Sequence, residues 1–106
     1  MADIDARLNE TKARDRLGRI IFRAWRRGFR EADLVLGPFA DQVGPTLSGS
    51  ELDSFEALLA QDDDHQLYAW IIGTEVTPVE HDTAVMAKIR VFMRDHVAAA
   101  VAEGAG

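Results

Sequence analysis

Apolar and polar residues recur with the period of an α-helix along most of the chain. From about residue 9 to residue 27, apolar side chains return every three or four positions while basic side chains fill the opposite side. Asn9 and Thr11 are residue types that start helices. At 100° per residue the basic side chains fall within an arc about 100° wide. The apolar set is Ala13, Leu17, Ile20, Ile21, Ala24 and Trp25, and the basic set is Lys12, Arg16, Arg19, Arg23, Arg26 and Arg27.

A glycine separates this segment from the next one. Gly28 stands where a helix commonly ends on a left-handed residue, and a second helical pattern follows at once. Glu31 and Asp33 fall in its first turn, where free backbone N–H groups favour negative charge. We expect Gly37-Pro38 to kink or shorten this helix and Gly44-Pro45 to end it. Its apolar positions are Ala32, Val35, Leu36, Phe39 and Val43.

Three more helices are predicted from their start and stop signals. Ser48-x-x-Glu51 is a capping box, and Asp62 to Asp64 offer N-caps for a short helix that Gly73 ends. Thr77-Pro78-Val79-Glu80 is typical of the start of the last helix. The apolar positions of the third helix are Leu52, Phe55, Leu58 and Leu59, and those of the last are Val85, Met86, Ile89, Phe92, Met93 and Val97.

These patterns predict an all-α fold, a compact bundle of about five helices. No segment shows the period-two alternation of a half-buried strand. A chain of 106 residues is long enough for one core and too short for two. We therefore expect a single helical domain over residues 1–106, with flexible ends at about 1–10 and 99–106.

Composition and charge narrow the class of protein. Apolar residues make up 47% and charged residues 28%, as in a globular domain, and no apolar run approaches the roughly 20 residues of a membrane span. The chain lacks cysteine, and its acidic N-terminus does not resemble a secretory or transit signal, so we expect a cytoplasmic protein without membrane insertion. The net charge is −6, yet residues 11–30 hold eight basic side chains and one acidic one.

No catalytic or metal-binding signature stands out in the sequence. His65, His81 and His96 lack the spacing of metal ligands, and Asp62 to Asp64 lack the alternation of a calcium loop. Neither a nucleophile elbow nor a phosphate-binding glycine loop is present. We predict no catalytic residues, no metal ligands and no stably bound cofactor.

The basic stripe allows three interpretations. An acidic helix of the same fold can offset it, it can simply be solvated, or it can bind an acidic or phosphate-bearing partner. A small helical nucleic-acid regulator or antitoxin-like protein is therefore the alternative function. The net negative charge and the single aromatic pair near the stripe, Phe22 and Trp25, argue against nucleic acid.

The turn Arg27-Gly28-Phe29-Arg30-Glu31 also has two interpretations. In the first, the two residues have a structural role only: Gly28 ends one helix, and Glu31 stabilises the start of the next. However, many charges gather around a tight turn that has to be exposed to hold them, which is typical of a docking point. With Arg23 from the preceding turn of helix, these residues form the predicted partner-binding surface.

The stretch "RRGFREADLVLGPFA" resembles the RGxxE segment of the SdhE family, also called succinate dehydrogenase assembly factor 2. The likeness continues through "LSGSELDSFEALLAQDDDHQLYAWIIG" and covers roughly residues 14–93. It implies a five-helix protein that binds the flavoprotein subunit of succinate dehydrogenase, and in some bacteria of fumarate reductase, and promotes covalent attachment of FAD to a histidine of that partner. Arg27, Gly28 and Glu31 match the motif, and Phe29 stands where methionine is common.

The resemblance implies that FAD belongs to the partner and that this chain is no enzyme. A helper needs no nucleophile of its own if it only favours the conformation in which flavin and histidine meet. Gly28 is then expected to allow close approach of the partner, with Arg27 and Glu31 making charged hydrogen bonds at the interface. A purely structural adaptor remains a further alternative, since it would bind a partner without changing its flavin content.

Overall fold

The protein folds into five α-helices. The computed structural model describes the backbone of residues 2–102 and the side chains of residues 7–96. Short 3-10 turns lie at Gly44–Thr46 and Val79–His81, and no strand occurs among the residues described. This confirms the all-α prediction. The helices are α1 (Ala2–Trp25), α2 (Arg30–Gln42), α3 (Gly49–Leu59), α4 (Asp64–Ile72) and α5 (Ala84–Ala102).

A single core lies where the five helices meet. Each helix contributes the apolar positions that its periodicity indicated, and Phe39 of α2 meets Phe55 of α3 edge to face at 5.3 Å. Ala13 and Trp25 are exceptions, since both are exposed, and the side chain of Val97 lies outside the described residues. The largest fully buried side chains are Phe39, Phe55, Ile20, Leu36, Leu67, Ile71, Met86, Ile89 and Val85.

Helix α1 begins at Ala2, so the predicted start at Asn9 or Thr11 was wrong. The hydroxyl of Thr11 donates to the carbonyl oxygen of Arg7 at 2.9 Å, four residues earlier in the helix. A threonine in the middle of a helix can make this bond to the carbonyl four residues earlier, so its presence does not require a helix start. At the other end, α5 continues to Ala102, and residues 103–106 of the predicted flexible tail lie outside the described part.

Helix α2 runs through Pro38 without a break, so the predicted shortening at Gly37-Pro38 was also wrong. Proline cannot donate to the carbonyl four residues earlier, which belongs to Leu34. Leu34 lies on the exposed side of the helix, where water can bond that carbonyl. The helix ends at Gln42, just before Gly44-Pro45 as predicted.

The start signals of α3 and α4 and the stop signal of α4 are confirmed. In the capping box the Ser48 N–H donates to Glu51 Oε1 at 3.0 Å, and the Glu51 N–H donates to Ser48 Oγ at 3.2 Å. The ion pair with Lys88, together with the Ser48 N–H, lowers the pKa of Glu51 below its ordinary value. Asp63 caps α4, and Gly73 ends it in the left-handed region at φ +83°.

Helix α5 starts at Ala84, later than Thr77-Pro78-Val79-Glu80 had suggested. That signal forms a 3-10 turn instead. The hydroxyl of Thr83 accepts from the Met86 N–H at 3.3 Å and so caps the helix. His81 causes the delay, because its buried ring stacks on Trp70 at 5.4 Å and lies 2.9 Å from the amide nitrogen of Gln61.

Helices α1 and α2 pack closely where Trp25 covers Gly37. A Cβ atom added to Gly37 would lie 2.3 Å from Cδ2 of the Trp25 ring. The indole N–H of Trp25 donates to Asp41 Oδ2 at 3.0 Å. Only glycine at this position lets the ring lie this close to α2.

Candidate docking site

The α1–α2 corner, defined as residues 26–31, contains the turn that joins the first two helices. Gly28 lies within it at φ +89°, in the left-handed region that favours glycine. A Cβ atom added to Gly28 would meet nothing within 4 Å. The backbone conformation therefore requires glycine, while the space beside it is open on the outside of the molecule.

Arg27 turns its side chain inward and joins the corner to two other helices. The side chain is 11% exposed. Its Nε donates to Asp64 Oδ1 at 2.9 Å, and Nη2 lies 2.7 Å from the same oxygen. Nη1 and Nη2 also donate to the carbonyl oxygens of Leu59 and Gln61. These contacts connect the corner to the end of α3 and the start of α4, and we call them the Arg27 contacts.

Two further residues fix the backbone of the corner. The Arg27 N–H donates to Asp33 Oδ1 at 2.8 Å, and the Asp33 N–H donates to the carbonyl oxygen of Phe29 at 3.0 Å. The Phe29 ring lies 4.2 Å from the ring of His65 and meets Tyr68 edge to face at 5.5 Å. The corner is thus held by hydrogen bonds on one side and by an aromatic contact with α4 on the other.

Four of the six predicted partner-binding residues point outward. Gly28 is exposed, and so are Arg23, Arg30 and Glu31. None of these three charged side chains makes a hydrogen bond or ion pair with another residue that the structure describes. They are available to a partner.

The other two predicted residues, Arg27 and Phe29, have structural contacts instead. All three guanidinium nitrogens of Arg27 donate within the chain, so the interface hydrogen bond expected of Arg27 competes in this conformation with contacts to Asp64, Leu59 and Gln61. Phe29 is half-buried against α4. Arg27 and Phe29 support the corner from behind, and Gly28, Arg30 and Glu31 present its outer surface, with the exposed Arg23 of α1 beside them.

Sequence reasoning missed Asp33 and Asp64 as parts of the site. The sequence indicates Asp33 only as a favourable charge in the first turn of α2, although its carboxylate also binds the turn backbone. Asp64 was expected only as an N-cap candidate for the fourth helix, but it pairs with Arg27, 37 residues away in sequence. No local signal marks a pair at that separation.

The basic stripe of α1 is divided by the fold. Arg16 pairs with Asp53 and Glu56 of α3, and Arg27 pairs with Asp64 of α4. The pair with Glu56, and then that with Asp53, raises the pKa of Arg16 above its ordinary value. The interpretation that acids of the same fold offset the stripe is therefore confirmed for these two arginines. The remaining members, Lys12, Arg19, Arg23 and Arg26, are exposed.

The side chains that suggested chemistry have ordinary contacts. His81 is buried against Trp70, His65 lies on Phe29, and His96 stacks on Phe92 at 5.6 Å. Asp63 caps α4, and Asp64 holds Arg27. Within the described part of the chain, no three histidines or acids are grouped as a metal site. Nor is any of its helices long and apolar enough to cross a membrane.

The fold and the corner together define a small all-α protein with an exposed, charged turn between its first two helices. A sequence model of the family described as "Flavinator of succinate dehydrogenase" matches residues 18–93, which include the whole corner. The chain belongs to this family. The family's names describe assembly factors, in agreement with the resemblance seen in the RGxxE segment.

Curated relatives bear the same kind of name. The chain is 46% identical over 50 residues to the FAD assembly factor SdhE of Vibrio cholerae, covering 47% of this chain and 57% of the relative. It is 35% identical over 71 residues to the FAD assembly factor SdhE of Colwellia psychrerythraea, covering 67% and 74%. The mitochondrial succinate dehydrogenase assembly factor 2 of Komagataella phaffii is 33% identical over 76 residues, covering 68% and 40%.

The chain thus spans about half the length of two of these three relatives. No solved structure matches it.

Proposed function

We propose that this protein binds the flavoprotein subunit of succinate dehydrogenase, and in some bacteria that of fumarate reductase, and promotes covalent attachment of FAD to that subunit. Membership of the flavinator family supports the proposal. The observation that carries it is the α1–α2 corner, where Gly28, Arg30 and Glu31 are exposed on a turn that the Arg27 contacts hold rigid. We place this activity in the cytoplasm.

A rigid corner can act by stabilising one conformation of its partner. Glu31 offers an acceptor for N–H donors of the flavoprotein, and Arg30 offers donors for its carboxylates or carbonyls. Because the turn is already ordered, less conformational entropy is lost on binding than for a mobile loop. The reacting groups, the flavin and a histidine, both belong to the partner, so the helper acts by binding the conformation in which they meet.

Gly28 contributes in two ways. Its positive φ brings Arg30 and Glu31 to the outside directly after α1 ends, and its missing side chain leaves the turn backbone open to close contact. Arg27 contributes indirectly, because it holds the turn without touching the partner.

The test is flavin content in cells. Gly28→Arg and Glu31→Ala variants are co-expressed with the flavoprotein subunit in a strain that lacks its own factor. Covalent flavin on the denatured subunit is then read by in-gel fluorescence, since only covalent flavin survives denaturation. We expect both variants to lower the signal by about tenfold or more, as is typical for a central interface residue.

The chain offers matched controls for both substitutions. Gly73 is also exposed, has φ +83° and leaves open space for a Cβ, so Gly73→Arg introduces the same strain and charge away from the corner. Glu80→Ala removes an exposed acid from the 3-10 turn before α5. Normal flavin with Gly28→Arg and Glu31→Ala, both folded, would contradict the proposal. Binding of the subunit with no effect on flavin would indicate a structural adaptor instead.

A further inference from the structure

One side of α1 carries exposed positive charge and an exposed aromatic ring directly beside the corner. We call Arg19, Phe22, Arg23 and Arg26 the α1 face. All four side chains are exposed, and Phe22 is 57% exposed. A Cβ added to Gly18, one turn earlier, would meet nothing within 4 Å, so a shallow hollow lies beside the Phe22 ring. The hollow is lined by Arg14, Asp15, Gly18, Arg19, Phe22 and Arg23.

The fold leaves the charge of this face uncompensated. Arg16 and Arg27 have acidic partners, whereas Arg19, Arg23 and Arg26 pair with no acidic side chain in the part of the chain that the structure describes. Their spacing of four and three residues brings like charges together, and such pairs destabilise a helix. The protein as a whole carries a net charge of −6. A concentrated positive face lowers the stability of the free protein through repulsion between its charges. It also favours the binding of an acidic partner.

Phe22 and Arg26 give this face an anchor for binding. The guanidinium carbon of Arg26 lies 4.0 Å from the centroid of the Phe22 ring, a cation–π contact that limits the motion of both side chains. Aromatic residues and arginine are enriched among the residues that dominate protein–protein binding energy. An apolar side chain of a partner can lie in the hollow at Gly18 against the ring, with carboxylates reaching the arginines around it.

The α1 face is continuous with the corner. The Arg26 N–H donates to the carbonyl oxygen of Arg23 at 3.1 Å, so the helical path continues to within two residues of Gly28. A partner docked at Gly28, Arg30 and Glu31 therefore lies beside Arg26 and Arg23. We propose that the α1 face binds an acidic segment of the same flavoprotein subunit, with one apolar side chain against Phe22. This inference rests on the proposed function and names the chemistry of the partner surface.

The test compares binding affinity at several salt concentrations. The double variant Arg19→Gln/Arg23→Gln and the wild-type chain are titrated with the purified flavoprotein subunit between 25 and 400 mM salt, conditions chosen to vary screening by about fourfold in Debye length. We expect the variant to raise Kd about tenfold or more at low salt and to flatten its salt dependence. Phe22→Ser is expected to weaken binding at all salt concentrations with an unchanged salt dependence.

Two controls separate binding from folding. Arg7→Gln/Arg94→Gln removes the same charge from exposed positions away from the α1 face and should leave Kd near the wild-type value. The free Arg19→Gln/Arg23→Gln protein should melt no lower than the wild type, because two repelling charges are gone. A purely structural role of these arginines would lower that melting temperature.

The possible outcomes separate this inference from the proposed function. If Arg19→Gln/Arg23→Gln binds like the wild type while Gly28→Arg and Glu31→Ala do not bind, the inference about the α1 face is wrong. The proposal that the corner binds the flavoprotein is then retained. If none of these variants changes binding, both proposals fail. If the double variant loses only a low-salt shift of nucleic acid and keeps the flavoprotein, the face serves nucleic acid and the inference is overturned.

Discussion

The guanidinium of Arg27 lies between the end of α3 and the start of α4 and donates to both, whereas Gly28 beside it contributes only its backbone. The two residues are adjacent in the RGxxE segment and have different physical roles. Arg27 satisfies carbonyl groups at the end of a helix, where a positive charge is favourable. Glu31 completes the segment on the outer surface.

Replacing Arg27 should therefore affect stability before binding. We expect Arg27→Gln to lower the free energy of unfolding by about 2–4 kcal/mol, because Asp64 loses its counter-ion and two carbonyls lose their donor. Arg27→Lys should recover only part of this loss, since an ammonium lacks the planar set of donors. Urea unfolding gives the values, and the exposed Arg23→Gln is the control, with an expected change within about 0.5 kcal/mol. A loss below that size for Arg27→Gln would show that the Arg27 contacts contribute little.

At the scale of single residues, the sequence predicts which residues form the corner. It does not predict which of them point inward and which point outward. Helix-ending rules predicted a left-handed conformation for Gly28, and the structure shows it, although α1 itself ends three residues earlier at Trp25. The inward direction of Arg27 depends on Asp64, Leu59 and Gln61, which lie more than 30 residues further along the chain. Periodicity and capping rules act over a few turns of helix and cannot reveal such a pair.

Among the helices, the contact of Trp25 with Gly37 determines how α1 and α2 cross. The ring atoms nearest to a Cβ added at Gly37 would lie at 2.3, 2.6 and 2.6 Å, all of which are closer than real Cβ contacts. In a helix interior, replacing glycine with alanine by itself stabilises the helix by about 1 kcal/mol. Overfilling a packed contact costs about 1–3 kcal/mol, so the clash should outweigh that gain.

We accordingly expect Gly37→Ala to lower the melting temperature by several degrees, at about 4–8 °C per kcal/mol for a domain of this size. Differential scanning calorimetry measures the change. Gly49→Ala is the matched control, because Gly49 lies in α3 with open space around it and should not lose stability. In a double-mutant cycle, Trp25→Leu should remove most of the penalty of Gly37→Ala. Equal penalties with and without the Trp25 ring would refute the proposed clash.

The starts and ends of the helices are predicted correctly where they depend only on neighbouring residues. The capping box of α3 and the Gly73 end of α4 were both confirmed, because each depends on residues within one turn. The start of α5 was wrong by several residues, because His81 is buried against Trp70 and holds the intervening segment in a 3-10 turn. A tertiary contact overrode a valid local signal.

On the scale of the whole molecule, α1 reaches beyond the bundle. All side chains from residue 7 to residue 15 are exposed, and the molecule measures 54 × 33 × 23 Å. Its radius of gyration of 15.1 Å exceeds the value of about 13 Å expected for a compact domain of this length. Of the segment 1–10 that was predicted to be flexible, the side chains of residues 7–10 lie outside the core.

Removing that segment should cost little. We expect deletion of residues 2–10 to shift the melting temperature by less than about 3 °C, since the side chains described there, those of residues 7–10, are exposed and such residues contribute about 0.5 kcal/mol or less. Fast hydrogen exchange of these amides in the full chain would agree with fraying of an unsupported helix. As a control, a deletion that extends to Leu17 should destabilise the protein strongly, because Leu17 packs against the core. A large loss on removing residues 2–10 alone would mean that this segment is held in place.

The Arg27 contacts also determine at what stage of synthesis and folding the corner becomes ordered. Their acceptors, Leu59, Gln61 and Asp64, are synthesised more than 30 residues after Arg27. A nascent chain that has released only its first two helices cannot form these bonds, and neither can a copy with α3 or α4 misfolded. Under the proposed function, such incomplete molecules would not compete for the flavoprotein, because they lack the ordered corner.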